Sequence, residues 1–270
     1  MIEIMRSRVL AAFVSLLLFF PSPRSWAWGN EGHRIIADIA WDHLDPAARA
    51  MLRPFLGDYN LASISVWPDD IRKNRPKTGA WHYVDIPKDA SAYTATDCPG
   101  DNCVVAQIDK FAKIVGDAEQ PFAARSEALN FLVHFVGDLN QPLHAIGEAR
   151  GGNDIPVTFF GSAQCGEYAC NLHSVWDSEL IGHTGLLERP YAQQLEAMIA
   201  HDHLQAGPVD PEAWANESLL LAKQALVQPQ AGIDQAYYER QRPVVDRQLA
   251  LAGLRLAAVL NQELGKSKRS

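Results

Sequence analysis

Past its first 27 residues the 270-residue chain has no run of about 20 apolar residues, which excludes a second hydrophobic segment able to span a bilayer as a helix. Cysteine is scarce, with four residues in two close pairs, Cys98/Cys103 and Cys165/Cys170. Neither pair has the Cys-x-x-Cys spacing of a structural zinc site. No Lys/Arg stripe of the kind that makes many phosphate contacts to a duplex is present, and 24 Lys+Arg against 32 Asp+Glu give a formal charge of −8. Strand-like segments are few: residues 155–160 after Gly151-Gly152, and residues 81–86. Internal repeats and domain linkers are absent.

The first 27 residues read as a signal peptide. Arg6 and Arg8 form a positive region, Val9 to Phe20 an apolar one of about a dozen residues, and Ser25-Trp26-Ala27 puts small residues where a signal peptidase needs them. Cleavage between Ala27 and Trp28 removes three Arg and one Glu, moving the formal charge from −8 to −10. The expected product is a secreted or periplasmic protein, no longer attached to a membrane and monomeric. Residues 28–265 form its one domain and residues 266–270 a polar tail.

Helical periodicity dominates that domain. Ile35, Ile36, Ile39, Ala40 and Leu44 define one apolar face, and Leu129, Leu132, Val133, Val136 and Leu139 another. Stretches around 191–200, 212–227 and 244–262 follow the same period. The predicted fold class is mainly α, compact, with a few short strands. Both cysteine pairs fall in the Gly-, Asp- and Asn-bearing loops at 74–103 and 147–170. In an oxidising compartment the simplest of three connectivities is two local disulfides, with zinc ligation as the alternative.

The chemistry-bearing residues are His and Asp at helical spacing. His134 and Asp138 stand four apart in an otherwise apolar segment, so a helix presents both on one face, and His173 and Asp177 repeat the pattern. Between the pairs, Gln141-Pro142-Leu143-His144 places another imidazole where Pro142 must disturb the helix. His33, Asp69 and His82 lie upstream. Any one such histidine is more often a hydrogen-bonded core residue than a ligand. Two identical pairs on apolar segments change that balance, because buried carboxylates are costly unless paired or metal-bound. Nitrogen and oxygen donors without thiolate suit catalytic zinc, which lowers the pKa of bound water and, in two-ion sites, supports phosphoryl displacement. His43, His183, His201 and His203 lack comparable partners and receive no ligand role.

Taken in order, Trp28-Gly29-x-x-Gly32-His33, Trp67-x-Asp69, His82-Tyr83-x-Asp85, His134-x-x-x-Asp138, Gln141-Pro142-Leu143-His144, Gly151-Gly152-Asn153 and Asn171-Leu172-His173-x-x-Trp176-Asp177 resemble the zinc-dependent nucleases of the S-one and P-one type. The likeness runs over about 150 residues, and the helical remainder is less distinctive. It implies the helical fold shared by phospholipase C and P-one nuclease, with three Zn2+ per chain at the bottom of a cleft. One zinc is then expected on Asp69, His82, His134 and Asp138, and a second on the Trp28 amine and carbonyl, His33 and the shared Asp138. The third takes His144, His173 and Asp177. Asp138 bridges two of the ions.

The implied reaction is hydrolysis of single-stranded DNA and RNA to 5'-phosphorylated products, together with 3'-nucleotidase activity. By the same resemblance Arg72 stabilises transition-state charge with Asp85 orienting it, Tyr83 stacks on a base and Asn153 reads a base edge. Taken alone, Arg72 is also compatible with a solvated position in a basic run, and Tyr83 with a packed aromatic. A zinc-dependent phospholipase C is the alternative activity, and a non-enzymatic metal-sequestering protein a third reading. The Cys165/Cys170 loop has no clear counterpart in the family pattern.

Overall fold

The computed structural model describes residues 28–265, so the signal-peptide reading of residues 1–27 and the tail at 266–270 lie outside the described residues. The chain runs through α1 (Asn30–Asp42), α2 (Pro46–Leu56), the short α3 (Trp67–Ile71), α4 (Val104–Gly116) and α5 (Phe122–Leu139). It continues with α6 (Leu172–Ser174), a π-helical turn (Val175–Glu179), α7 (Leu180–Gly182), α8 (Glu188–Asp202), α9 (Pro211–Ala225) and α10 (Gln235–Gly265). Among the described residues the fold is mainly α, as the periodicity predicts. No described helix is long and apolar enough to cross a membrane.

α5 is the axis. From Leu129 to Leu139 all residues except Asn130 are buried, so the helix is enclosed on every side, including the faces that carry His134 and Asp138. α4 packs along it, while α1 packs on α10 and α8. Trp28, Trp176, Phe131 and Phe135 are among the largest fully buried side chains. α5 stops at Leu139, just before Pro142, whose missing N–H cannot continue the ladder. The chain tightens into a 3-10 turn at Pro142–Ala145, which α9 covers. That stop lifts His144 off the helix axis.

The strands are shorter than their composition predicts. β1 (Thr158–Phe159) pairs in parallel with β4 (Gly232–Ile233), and β2 (Gln164–Cys165) pairs antiparallel with β3 (Tyr168–Ala169). In the 155–160 segment only Thr158–Phe159 joins the β4 ladder, while Ile155 and Val157 bond across an isolated antiparallel bridge to Leu172 and Cys170. Residues 81–86 are not a strand: Pro76–His82 is 3-10 helix, and the extended residues beyond it bond to neighbouring turns and helix ends. Val84 N–H donates to the His144 carbonyl at 2.8 Å, and the Tyr83 carbonyl accepts from Val104 N–H at 3.1 Å. Both predicted disulfides are present, with Cα–Cα separations of 5.3 Å for Cys98–Cys103 and 4.9 Å for Cys165–Cys170. The first pins the start of α4; the second closes the β2–β3 hairpin.

Candidate metal centre

Four elements deliver buried His and Asp side chains to one region. α5 supplies His134 and Asp138 from successive turns of one face, as their spacing requires. α1 supplies His33, α3 supplies Asp69, and His82 ends the 3-10 turn that begins at Pro76. Asp138 lies at their centre. Its Oδ2 is 3.0 Å from His82 Nδ1 and 3.4 Å from His134 Nε2, while its Oδ1 is 3.4 Å from His33 Nε2. Asp69 closes the other side, 3.7 Å from His134 Nε2 and 3.8 Å from His82 Nδ1. The His33 ring stacks on that of His134 with centroids 3.8 Å apart.

A separate group joins His144 from the 3-10 turn, His173 from α6 and Asp177 from the π-helical turn. His173 Nε2 is 3.1 Å from His144 Nε2 and 3.4 Å from Asp177 Oδ2. Compact donor sets within the two regions are His33/Asp69/His134, His82/His134/Asp138 and His144/His173/Asp177, each with its atoms within 4.8 Å of one another. His134 thus belongs to two overlapping sets, and Asp69 approaches both.

The tautomers reveal what these atoms face. His144 Nδ1 donates to the His82 carbonyl at 2.7 Å, and His173 Nδ1 to the Gly151 carbonyl at 2.6 Å. Neutral imidazoles so bonded carry lone pairs on Nε2, and two lone pairs 3.1 Å apart cannot hydrogen-bond each other. His134 is fixed in the same way by the Ser65 carbonyl at 2.7 Å. A shared cation resolves the conflict: two donors about 2.0–2.1 Å from one tetrahedral ion stand about 3.3 Å apart. Both carboxylate oxygens of Asp138 and Oδ2 of Asp177 are buried without a hydrogen-bond partner, so the residues fit a metal.

Electrostatics point the same way. Burial pushes the Asp138 carboxyl well above the usual carboxylate range, with the neighbouring Asp69 charge adding to it. Burial raises Asp177 likewise. Burial holds His33, His82, His134 and His144 below the ordinary imidazole value, and His173 is lowered to about 4. Buried carboxylates whose charge is penalised, beside imidazoles that stay neutral, are stabilised in their ionised form by a bound cation.

The His/Asp floor opens into a cleft of about 360 Å³ lined by Arg72, Tyr83, Asp85, Arg150 and Asn153 as well as by His82, His144 and His173. Arg72 Nη1 donates to Asp69 Oδ1 at 3.1 Å, so its guanidinium is anchored to the floor and faces the cleft. Asp85 is exposed on the cleft wall, and partial desolvation there raises its carboxyl above the ordinary value. Tyr83 is 39% exposed, which leaves its ring available to a ligand. Asn153 Nδ2 donates to the Arg150 carbonyl at 2.9 Å within the Gly-Gly turn. A larger hollow of about 490 Å³ lies between the β2–β3 hairpin and the start of α1. Of the clustered His and Asp residues it touches only Asp177, so the smaller cleft is the one with chemistry.

Trp28 is fully buried at the start of α1, one turn before His33, and the next residue's N–H donates to the Asp177 carbonyl at 2.7 Å. The histidines given no ligand role are elsewhere engaged or exposed: His43 pairs with Glu196, His183 stacks on Phe160 and His201 pairs with Asp202. Four contributors escape sequence reasoning. The carbonyls of Ser65 and Gly151 carry no side-chain signal. Gln141 was legible only as the residue before Pro142, although its amide donates to Asp177 Oδ1 at 2.6 Å. Arg150, which joins the cleft wall, reads in the sequence as an ordinary surface charge.

Comparison with known proteins agrees with this architecture. The profile described as S1/P1 Nuclease matches residues 28–265. The chain is 30% identical to Nuclease P1 of Penicillium citrinum over 87% of this chain and 97% of that protein. It is 33% identical to Endonuclease 3 of Arabidopsis thaliana, over 87% and 88%, and 27% identical to Nuclease S1 of Aspergillus oryzae, over 88% and 92%. A helical scaffold, clustered His/Asp donors beneath a cleft and a match spanning all described residues converge: the chain belongs to the S1/P1 nuclease family, hydrolases that act on nucleic acids.

Proposed function

We propose that the protein is a secreted zinc-dependent endonuclease that cleaves single-stranded DNA and RNA to 5'-phosphorylated products and removes 3'-phosphates from nucleotides. The observation that carries this reading is the set of buried imidazole lone pairs and unpartnered carboxylate oxygens directed together beneath a cleft. Asp69, His82, His134 and Asp138 would hold one zinc; the Trp28 amine and carbonyl, His33 and Asp138 a second; and His144, His173 and Asp177 a third. When bound, zinc supplies a water nucleophile at neutral pH and charge stabilisation at phosphorus and the leaving oxygen.

The protein's own groups do the rest. Arg72, held by Asp69, offers a guanidinium to the phosphoryl oxygens as charge builds on them. Asp85 orients that guanidinium from the same cleft wall. Tyr83 provides a stacking face for an unpaired base, an interaction of about 1–3 kcal/mol that a paired base in a duplex does not offer. The Asn153 carboxamide presents a donor and an acceptor to a base edge. Such a cleft attracts phosphate locally, which suits an acidic protein without a broad basic surface.

The deciding experiment offers denatured DNA, RNA, a 3'-nucleotide and phosphatidylcholine to protein cleaved at Ala27/Trp28, with zinc counted in the same preparation. Cleavage of the first three at three zinc per chain is expected. Turnover of lipid alone would establish the phospholipase C alternative, and inertness towards every phosphoester would favour metal sequestration.

A further inference from the structure

Gln141 lies between both His/Asp regions, and all its polar groups are engaged. Its side chain is fully buried. Nε2 donates to Asp177 Oδ1 at 2.6 Å, and Oε1 accepts from Leu143 N–H at 2.6 Å. The opposite amide orientation would set two N–H groups against each other at Leu143 and two oxygens against each other at Asp177, so the orientation is fixed. The main chain is equally committed: Gln141 N–H donates to the Asp138 carbonyl at 3.0 Å, and its carbonyl accepts from His144 N–H at 3.0 Å. One residue therefore connects the end of α5, the turn that carries His144 and the helix that carries Asp177.

We infer that Gln141 is a positioning residue that holds the Asp177 carboxylate in register with His144 and His173 and so fixes the affinity of that metal group separately from the other two. This rests on the metal reading proposed above. By occupying Oδ1, the amide leaves Oδ2 as the oxygen directed at His173 Nε2, 3.4 Å away. A carboxylate free to rotate about its Cβ–Cγ bond would present that edge only part of the time. Outer hydrogen bonds of this kind are worth about 10–100-fold in metal affinity. A purely structural Gln141 would act through Leu143 alone, by capping the turn. Glutamate keeps that acceptor while placing a carboxyl against Asp177; methionine removes both hydrogen bonds at similar length.

The test titrates Zn2+ into metal-free protein with an intact Trp28 terminus, comparing parent, Gln141→Glu, Gln141→Met and His144→Ala, with circular dichroism and melting temperature alongside. Both Gln141 variants should keep the parent spectrum and bind two ions as the parent does, with the third weakened about 10–100-fold. Parent-like binding of all three ions in Gln141→Glu and Gln141→Met would overturn the inference. So would equal weakening of all three, or weakening in Gln141→Met with parent-like affinity in Gln141→Glu, which would assign the residue to the turn. If His144→Ala binds as many ions as the parent, the metal reading of that group fails, and the inference fails with it for a distinguishable reason.

Discussion

Replacing Gly137 by alanine sets a local helical preference against the geometry of the site. In a helix interior the change normally gains about 0.5–1 kcal/mol, because glycine loses more backbone freedom on folding. Gly137 is different because the His33 ring lies against the backbone of α5 at this point. A Cβ added there would be 2.8 Å from His33 Nδ1, 3.1 Å from its Cε1 and 3.3 Å from Ile36 Cδ1. All three neighbours sit in a close-packed interior, where overpacking costs about 1–3 kcal/mol. The net expectation is a loss of about 0.5–2 kcal/mol, which for a domain of this size lowers the melting temperature by roughly 1–8 °C. The ring has to move, and with it the 3.8 Å stack on His134 and the 3.4 Å approach to Asp138. Zinc content should therefore fall by one, with activity falling alongside. The control is Gly182→Ala, where an added Cβ meets nothing within 4 Å. Calorimetry and metal analysis of both variants decide the matter. A Gly137→Ala protein that melts at or above the parent temperature with its full zinc complement would refute the argument.

Other expectations follow from the site. Protein made with one extra residue ahead of Trp28 should lose a zinc ion and most activity, whereas full activity would show that the α-amine is not a ligand. Arg72→Ala should lower kcat by about 10²–10³-fold in steady-state assays while zinc content holds; loss of zinc instead would place Arg72 in support of Asp69. In metal-free protein the His173 imidazole should titrate near 4 by NMR, lowered by burial from an ordinary 6.5. Between those two values the unfolded chain takes up a proton that the folded chain refuses, so this group costs stability as the pH falls through that window. Titration near 6.5 would contradict its burial. Cys165→Ser/Cys170→Ser should destabilise by about 2 kcal/mol in urea unfolding, because the closed loop is short.

The sequence discloses those parts of the site whose spacing is helical. His134 with Asp138, and His173 with Asp177, could be read because four residues return a helix to the same face. The meeting of His134 and Asp138 with His33, Asp69 and His82 could not be derived from spacing, since it depends on α1, α3 and a 3-10 turn converging on α5; it came from resemblance. Residues 81–86 look like a strand because they are aromatic and β-branched, yet those properties serve burial between turns and helix ends as well as a ladder. Gln141, Ser65 and Gly151 act through an amide or a backbone carbonyl, groups whose role is set by where the chain turns.

The π-helical turn at Val175–Glu179 has a consequence for how this segment can vary. Such a turn accommodates one residue more than regular helical winding, and a helix relieved of it would be locally easier to form. Deleting one residue between His173 and Asp177 would restore that winding, but it would also shorten their four-residue spacing to three and shift Asp177 relative to His173 and the Gln141 amide. Insertions and deletions are readily tolerated in most solvent-exposed loops, yet the length of these few residues fixes how Asp177 stands against His173 and the Gln141 amide. Here the count of residues constrains the geometry as much as their identity does.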